Sequence, residues 1–527
     1  MEASRGDANG HELDGRYRHH RADDSPTELN LLSLNCWGLL HVSTLRTPRL
    51  LEIGRQIAAL SPPPHVVCLQ ECWVQDDYSA IRDAVRDILP HAKFYHSGVF
   101  GGGLAILSRW PIEESSMVPY PLNGRPTAFW RGDWYVGKGV ACATLRIGPA
   151  RGDVVEVFNT HVSPSHAWGS HTVISNRFML TSQTHAPYES GPDDSYLCHR
   201  TAQSWEIAKL LRAASQRGRL VLALGDFNMF PCSLAHRIIT ARSPVRDVWR
   251  VLHPHSSIGP ADHPDEMARG LPTPTAEFNL RENGATSDGL YNTWRWNKNR
   301  QNKLRAGEPC PVDPEAEDPN GKRLDYIFAS NGDVSSGRGW VVESASVALT
   351  ERHHDLHVSL SDHFAVYATL KLHTLSNSTN PTTATEEDTP GDFDAQLRSS
   401  QDFDYDDAAA LPVADYDEIL DMTHRYTARE RSQRRRRFAT FYAALAVWIG
   451  CLVAVWFSPR NFVSFLLMLL ASLGLAAGVV DGLLALLFFS GEIRRLKEFE
   501  WEIQNARAAA AVAATGKGDK TEYGRKP

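Results

Sequence analysis

Residues 220–228 read LVLALGDFN, and residues 360–370 read LSDHFAVYATL. In the first, five apolar residues run without alternation into Gly225, Asp226 and Asn228. In the second, Ser361, Asp362 and His363 lead straight into another apolar run. A short unbroken apolar run bounded by turn-forming residues reads as a buried strand. The same grammar recurs on both sides: Asn35 in LLSLNCW, Gln70 and Glu71 ending VVCLQE, His161 ending VEVFNTH, and Asp325 opening DYIF. Strands are predicted at 29–36, 66–70, 103–107, 140–147, 154–160, 220–224, 325–328, 340–347 and 365–370, with helices at 48–60, 78–89 and 200–217. Many strands with interspersed helices predict an α/β architecture of packed layers.

The chain has 527 residues, 22% of them charged, and a formal net charge of −7. Its mean hydropathy of −0.33 is that of a water-soluble protein. These values exclude wholesale disorder, a disulfide-stapled miniprotein and a multi-spanning transporter. Mild acidity also argues against a general nucleic-acid binder, which carries a basic excess. Eight cysteines form no CxxC pair, and Cys36, Cys68 and Cys142 lie in apolar runs, as buried free thiols of a reducing compartment do. The polar first 25 residues hold no apolar stretch of leader length, so secretion by a cleaved leader is not expected.

Averages conceal the C-terminal part. Residues 1–26 and an acidic, Ser/Thr-rich stretch at 374–430 are expected to be disordered, the second as a linker. Arg431, Arg434, Arg435, Arg436 and Arg437 follow within seven positions. Residues 438–457 are then uncharged and apolar, the length a membrane-spanning helix needs. After the polar break Ser458–Asn461, a second apolar run at 462–490 is interrupted only by Asp481. The expectation is a transmembrane hairpin at 438–490, with the polybasic segment 431–437 before it and a tail 491–527 after it. Arg494, Arg495 and Lys497 follow the second span, so the positive-inside rule puts both flanks, and the catalytic region at 27–373, in the cytosol. Arg434, Arg435, Arg436 and Arg437 are candidates for attraction to an anionic leaflet, at about 1 kcal/mol each.

Each polar strand-end residue has an ordinary reading by itself: Asn35 a turn residue, Glu71 a helix-start carboxylate, Asp362 a loop cap. The ordered set N, QE, NTH, GDFN, LDY, SDH is another matter, because together it makes phosphoryl-transfer chemistry. Glu71 can hold a hard Mg²⁺ through oxygen, and the ion offsets charge building up on a phosphoryl oxygen. His363, oriented by Asp362 or Asp226, can serve as general base. Asn228 and His161 can donate hydrogen bonds to the phosphate.

With these motifs the sequence resembles the endonuclease/exonuclease/phosphatase superfamily over about residues 28–373, GDFN and SDH being its most specific marks. Within it the neutral sphingomyelinase branch is the nearest match, through LSLNCWGL (32–39), GGGLAILSRWPI (101–112), the segment from Arg125 to Ala143, THAPYESGPDD (184–194), TSDGLYNTW (286–294) and RLDYIFAS (323–330). Together with the hairpin, these look like a fungal-type inositol phosphosphingolipid phospholipase C. The resemblance implies a four-layer sandwich of two mixed sheets flanked by helices. It implies hydrolysis of the phosphodiester on the ceramide side, need of Mg²⁺, and stimulation by anionic phospholipids. It further implies Glu71 as metal carboxylate with Asn35 as second candidate ligand, His363 as base, and Asp226, Asn228, His161, Asp325 and Asp362 completing the site. Asp133 and Lys138 are implied to matter for activity as a paired switch near the site. The implied location is the endoplasmic reticulum, or mitochondria.

Two patterns mislead. Residues 132–138, GDWYVGK, match a phosphate-binding loop, but Gly139 stands where Ser or Thr is needed and a strand follows, so no nucleotide is expected. His353 and His357 have zinc-helix spacing, but the flanking LHVSLSDH reads as strand and loop and brings no supporting Glu or Cys, so no zinc is expected either. One segment departs from the family pattern. Removing Val162–Gln183 would restore FNTHTHAPYESGP, and these 22 residues begin and end as a retained intron would; the rival is a surface loop peculiar to this chain. Other functions on the same fold are a nuclease, an inositol polyphosphate phosphatase, or an impaired membrane lipid sensor.

Overall fold

The computed structural model describes residues 25–40, 42–127, 133–150, 152–162, 196–375, 392–401 and 411–522. All nine predicted strands are present within a few residues. The strands are β1 (Glu28–Asn35), β2 (Val66–Gln70), β3 (His91–Tyr95), β4 (Leu104–Ser108), β5 (Ile112–Pro119), β6 (Gly139–Arg146), β7 (Val154–His161), β8 (Leu220–Asp226), β9 (Arg246–Asp247), β10 (Asp325–Ala329), β11 (Arg338–Ala348) and β12 (Ala365–Thr374). They form two six-stranded sheets, ordered β11-β12-β1-β2-β4-β3 and β5-β6-β7-β8-β10-β9. Each sheet is mixed, with one parallel pair at its centre, β1 with β2 and β7 with β8. The strands that sequence reading passed over, β3, β5 and β9, lie at or near sheet edges. β5, IEESSMVP, is mostly exposed and so lacks the apolar run that marks a central strand.

The inner faces of both sheets meet in one apolar layer, including Leu31, Cys68 and Ile106 from one sheet and Ala143, Val157 and Leu222 from the other. Helices α1 (Arg46–Ala59) and α2 (Gln75–Val85) cover the outer face of the first sheet through Ile53, Ile57 and Ile81. Helices α3 (Leu197–Ser215) and α4 (Leu234–Arg242) cover the second through Ile207, Leu211 and Ile239. The expected four-layer α/β sandwich is therefore what forms. Gln70 and Asn159 cross the middle layer: Gln70 Nε2 donates to Asn159 Oδ1 at 2.8 Å, and Asn159 Nδ2 donates to the carbonyls of Leu69 and Ala105 at 2.9 Å each. Gln70, at the end of β2, and Asn159, inside β7, tie sheet to sheet. The glycine of GDFN has a packing reason: a Cβ on Gly225 would stand 2.1 Å from the Thr160 carbonyl oxygen of β7.

The stretch expected to be a disordered linker is partly helical. Residues 393–401 form one helix, and α5 runs from Val413 to Trp456. Its acidic start hides an apolar stripe, Tyr416, Ile419, Met422 and Tyr426, at helical spacing. That stripe packs with Leu496, Phe499 and Ile503 against Trp205 and Ile238 of the sandwich. Chain continues as α6 (Asn461–Leu483), a π-helical stretch at 484–489, and α7 (Ser490–Glu522). Two of these helical stretches, Val413–Trp456 and Asn461–Ala514, are long and apolar enough to cross a membrane. They pack through small residues: a Cβ on Gly478 would meet Ala444 Cβ at 2.4 Å, and one on Gly482 would meet the Phe441 ring at 3.0 Å. Asp481 is paired with Arg437.

Candidate active site

Strand ends converge because β1, β2, β7 and β8 finish at the same edge of the sandwich. At the end of β1, Asn35 Nδ2 donates to Asp226 Oδ2 at 3.0 Å and to Glu71 Oε1 at 3.2 Å. Glu71 and Asn228 both hold left-handed backbone, φ 52° and 46°, which turns each chain sharply as its strand ends. The Asn228 backbone N–H donates to Asp226 Oδ1 at 2.9 Å, and its side chain donates to the Val162 carbonyl at 3.1 Å. His161 Nε2 lies 3.6 Å from Asp226 Oδ2 and 3.9 Å from Glu71 Oε1.

His363 is held differently from the sequence expectation. Its Nδ1 is 2.8 Å from Asp325 Oδ2, so Asp325, and neither Asp362 nor Asp226, is the carboxylate that orients it. The cause is register: β10 pairs antiparallel with β8 so that Asp325 lies opposite Asp226. Asp362 Oδ1 instead accepts from Ser361 Oγ at 3.3 Å. With Nδ1 committed, Nε2 is the atom left to take or give a proton.

Electrostatics sharpen the picture. Burial, followed by repulsion from Asp325, raises the Asp226 carboxyl to about 7. Burial and Asp362 raise Glu71 as well. For His363, burial opposes the charged ring, yet Asp325, Asp226 and Asp362 hold it well above its usual value. Crowded carboxylates of this kind are what a cation stabilises. Asp226, Asp325 and His363 offer ligand atoms within 4.8 Å of one another. Asp325 Oδ1 is buried and has no hydrogen-bond partner among the described residues. The donors at hand, the carboxylates of Glu71, Asp226 and Asp325 and the amide of Asn35, are oxygen-rich and contain no thiolate, the kind of set that a hard divalent ion takes.

A second grouping, Glu52 with His353 and His354, does not fit a metal. His353 Nδ1 accepts from the backbone N–H groups of Asp355 and Leu356 at 3.2 and 3.3 Å, which puts the ring proton on Nε2 and leaves no lone pair to bind with.

Lys138 donates from Nζ to the same Val162 carbonyl that Asn228 reaches, at 3.1 Å. Asp133 opens a single helical turn, Asp133–Val136, and its side chain lies outside the described residues. Of the departing segment at 162–183, only Val162 is described. Arg435 and Arg436 point to the exterior, whereas Arg434 is half-buried near Ser490 and Arg437 faces Asp481.

Two residues escaped sequence reading. Arg49, fully buried in α1, donates to the carbonyls of Thr44, Trp37, Cys36 and Leu360, and so clamps the loops after β1 and before His363. Its signal was an arginine on the apolar side of a helix, beside Leu50 and Ile53. Asp288, in the TSDGLYNTW segment, pairs with Lys322 at 2.5 Å and with Arg295. The neighbouring Ser287 bridges to both Lys322 and His363.

Comparison with known proteins identifies relatives of the whole chain. Residues 32–363 match the model of the Endonuclease/Exonuclease/phosphatase family. The chain is 36% identical over 481 residues to an inositol phosphosphingolipids phospholipase C of Schizosaccharomyces pombe, covering 91% of this chain and 94% of that one. It is 29% identical over 500 residues to the Saccharomyces cerevisiae protein of the same name, covering 91% and 90%. It is 30% identical over 221 residues to human sphingomyelin phosphodiesterase 2, covering 42% and 46%.

Proposed function

The chain belongs to the endonuclease/exonuclease/phosphatase family, and on that footing we propose that it is a Mg²⁺-dependent phospholipase C acting on membrane sphingolipids. Water is added across the phosphodiester, releasing ceramide and a phosphorylated head group. The observation that carries this reading is similarity along nearly the whole of both chains to the S. pombe phospholipase C, joined to the cluster of carboxylates and histidines at the strand ends.

In this reading Glu71, Asn35, Asp226 and Asp325 hold Mg²⁺, whose contribution is to offset charge on a phosphoryl oxygen. Asp325 fixes the His363 ring so that Nε2 handles the proton of the attacking water. Asn35 fixes the Asp226 carboxylate. Asn228 and His161 line the position of the phosphate. Lys138 acts near the site through the Val162 carbonyl it shares with Asn228, with Asp133 as its partner in a switch. The two apolar stretches form a transmembrane hairpin with the catalytic domain on the cytosolic side, in the endoplasmic reticulum or mitochondria. Of the arginines at 434–437, the outward-facing Arg435 and Arg436 draw anionic phospholipid to the surface. A substrate that never leaves the bilayer then meets a tethered site at high effective concentration.

The test is the full chain in vesicles, given labelled inositol phosphosphingolipid, sphingomyelin and DNA, with Mg²⁺ or EDTA. Ceramide should form from a sphingolipid with Mg²⁺ only, and DNA should remain intact. Glu71→Ala and His363→Ala should abolish turnover while the protein stays in the vesicles. Ceramide release unaffected by EDTA, or by either substitution, would overturn the assignment concerned. The same assay on a chain lacking Val162–Gln183 tests whether that segment belongs to the working enzyme.

A further inference from the structure

One exposed apolar feature lies outside the site described above. Between β3 and β4 the loop 98–103, GVFGGG, carries Val99 and Phe100 at its tip, 74% and 66% exposed. Exposed residues at loop tips are usually polar, so a valine–phenylalanine pair held in water needs a reason. The loop is not loose. The Val99 N–H donates to the Tyr135 carbonyl at 2.8 Å, and Ser97 Oγ donates to the Val136 carbonyl at 3.0 Å. Gly98 lies so close to that segment that a Cβ would stand 2.5 Å from the Val136 carbonyl carbon. The Phe100 ring sits 6.0 Å from that of Tyr135.

What the tip faces follows from the next contact. Trp134, beside Tyr135, meets the ring of Phe488 edge-on, with centroids 6.2 Å apart. Phe488 closes the second apolar stretch, just before Glu492 and Arg494. Through Tyr135 and Trp134 the tip is therefore linked to the end of that apolar stretch. Its other end reaches the catalytic site: the Gly103 carbonyl accepts from the N–H of Cys72, next to Glu71, at 2.9 Å.

We propose that Val99 and Phe100 insert into the same bilayer that holds the hairpin, and that this contact sets Glu71 and His363 at head-group height. The inference rests on the transmembrane reading of the hairpin. Apolar and aromatic side chains partition into the interface in this way, and a short inserted tip joined rigidly to Glu71 leaves little freedom in the height of the site.

The experiment uses the full chain in vesicles, with Val99→Cys carrying an environment-sensitive fluorophore in a Cys232→Ser background, Cys232 being an exposed thiol. Bromine-tagged phospholipid should quench the label. In parallel, Phe100→Asp should lower ceramide release from vesicles about tenfold while leaving hydrolysis of a water-soluble phosphodiester unchanged; Phe100→Leu should retain activity on both. An unquenched label in a chain that survives carbonate washing overturns the insertion and leaves the hairpin standing. A chain washed off by carbonate overturns the hairpin, and the insertion with it. Equal loss on both substrates for Phe100→Asp points to damaged folding, and quenching of the Val99 label then decides alone.

Discussion

Asp325→Asn separates the two roles that Asp325 can play. Its Oδ2 stands 2.8 Å from His363 Nδ1, and the residue is fully buried. An amide there keeps the shape and removes the charge. It can also donate to Nδ1, which moves the ring proton to Nε2, the atom that must be free to accept one. Positioned acid–base catalysis is worth about 10²–10⁴-fold, and the same Asp→Asn change in the Ser-His-Asp template costs about 10⁴-fold through the wrong tautomer. The expected loss in kcat is about 10³-fold, or about 4 kcal/mol at 1.36 kcal/mol per decade. With Asp325 neutral, burial becomes the ruling influence on His363, and the acid limb of kcat/KM moves to lower pH. A role confined to metal binding gives a different signature: affinity for Mg²⁺ falls about 10–100-fold, as with a lost ligand partner, and excess Mg²⁺ restores turnover. Steady-state ceramide release from vesicles, measured across pH and Mg²⁺ concentration, reads both. Turnover kept above about a tenth, or fully restored by Mg²⁺, refutes the orienting role given to Asp325.

Mg²⁺ should stabilise the chain more at pH 8 than at pH 6 in a thermal-shift assay. Asp226 has a folded value raised to about 7 by burial and Asp325, so the folded state without metal holds this proton more tightly than the unfolded one. Stability from that group is present at low pH and lost as pH rises through about 7, while metal binding must expel the proton and so strengthens over the same range. Asn159→Ala should destabilise the sandwich by about 3 kcal/mol in denaturant melts, since three buried hydrogen bonds at about 1 kcal/mol each are lost; a change below about 1 kcal/mol would remove its part in joining the sheets. Gly478→Leu should splay the two apolar stretches, because even a Cβ there meets Ala444 at 2.4 Å, and crosslinking between cysteines placed on the two stretches should fall; undiminished crosslinking refutes the packing.

Local signals and cross-chain geometry divide what could be read from the residues. Glu71, His161, Asp226, Asp325 and His363 were legible because a polar residue bounding a buried run, at its end or its start, is a local pattern, and the strands beside them are apolar enough to announce themselves. Depth along a strand was not legible. Asn159 and His161 share one face of β7, yet Asn159 lies two residues, about 6.6 Å, further in. There it meets Gln70 across the sheets and becomes a staple, while His161 at the rim faces Asp226 and Glu71. Pairing was not legible either. The carboxylate adjacent to His363 in the chain is Asp362, but neighbours along an extended chain face opposite ways, and the partner is Asp325, brought in by the β8–β10 register. Composition misled at 413–430 for a related reason: acidic residues set the average there, whereas the spacing of Tyr416, Ile419, Met422 and Tyr426 decides that the segment is a helix docked on Trp205. The same ordering of signals explains the loop at 98–103. By composition it is four glycines and a turn; by contact it is bonded on one side to Tyr135, whose neighbour Trp134 meets Phe488, and on the other to Cys72, the residue beside Glu71. The proposed membrane contact would use such a link, and residue types alone say nothing of it.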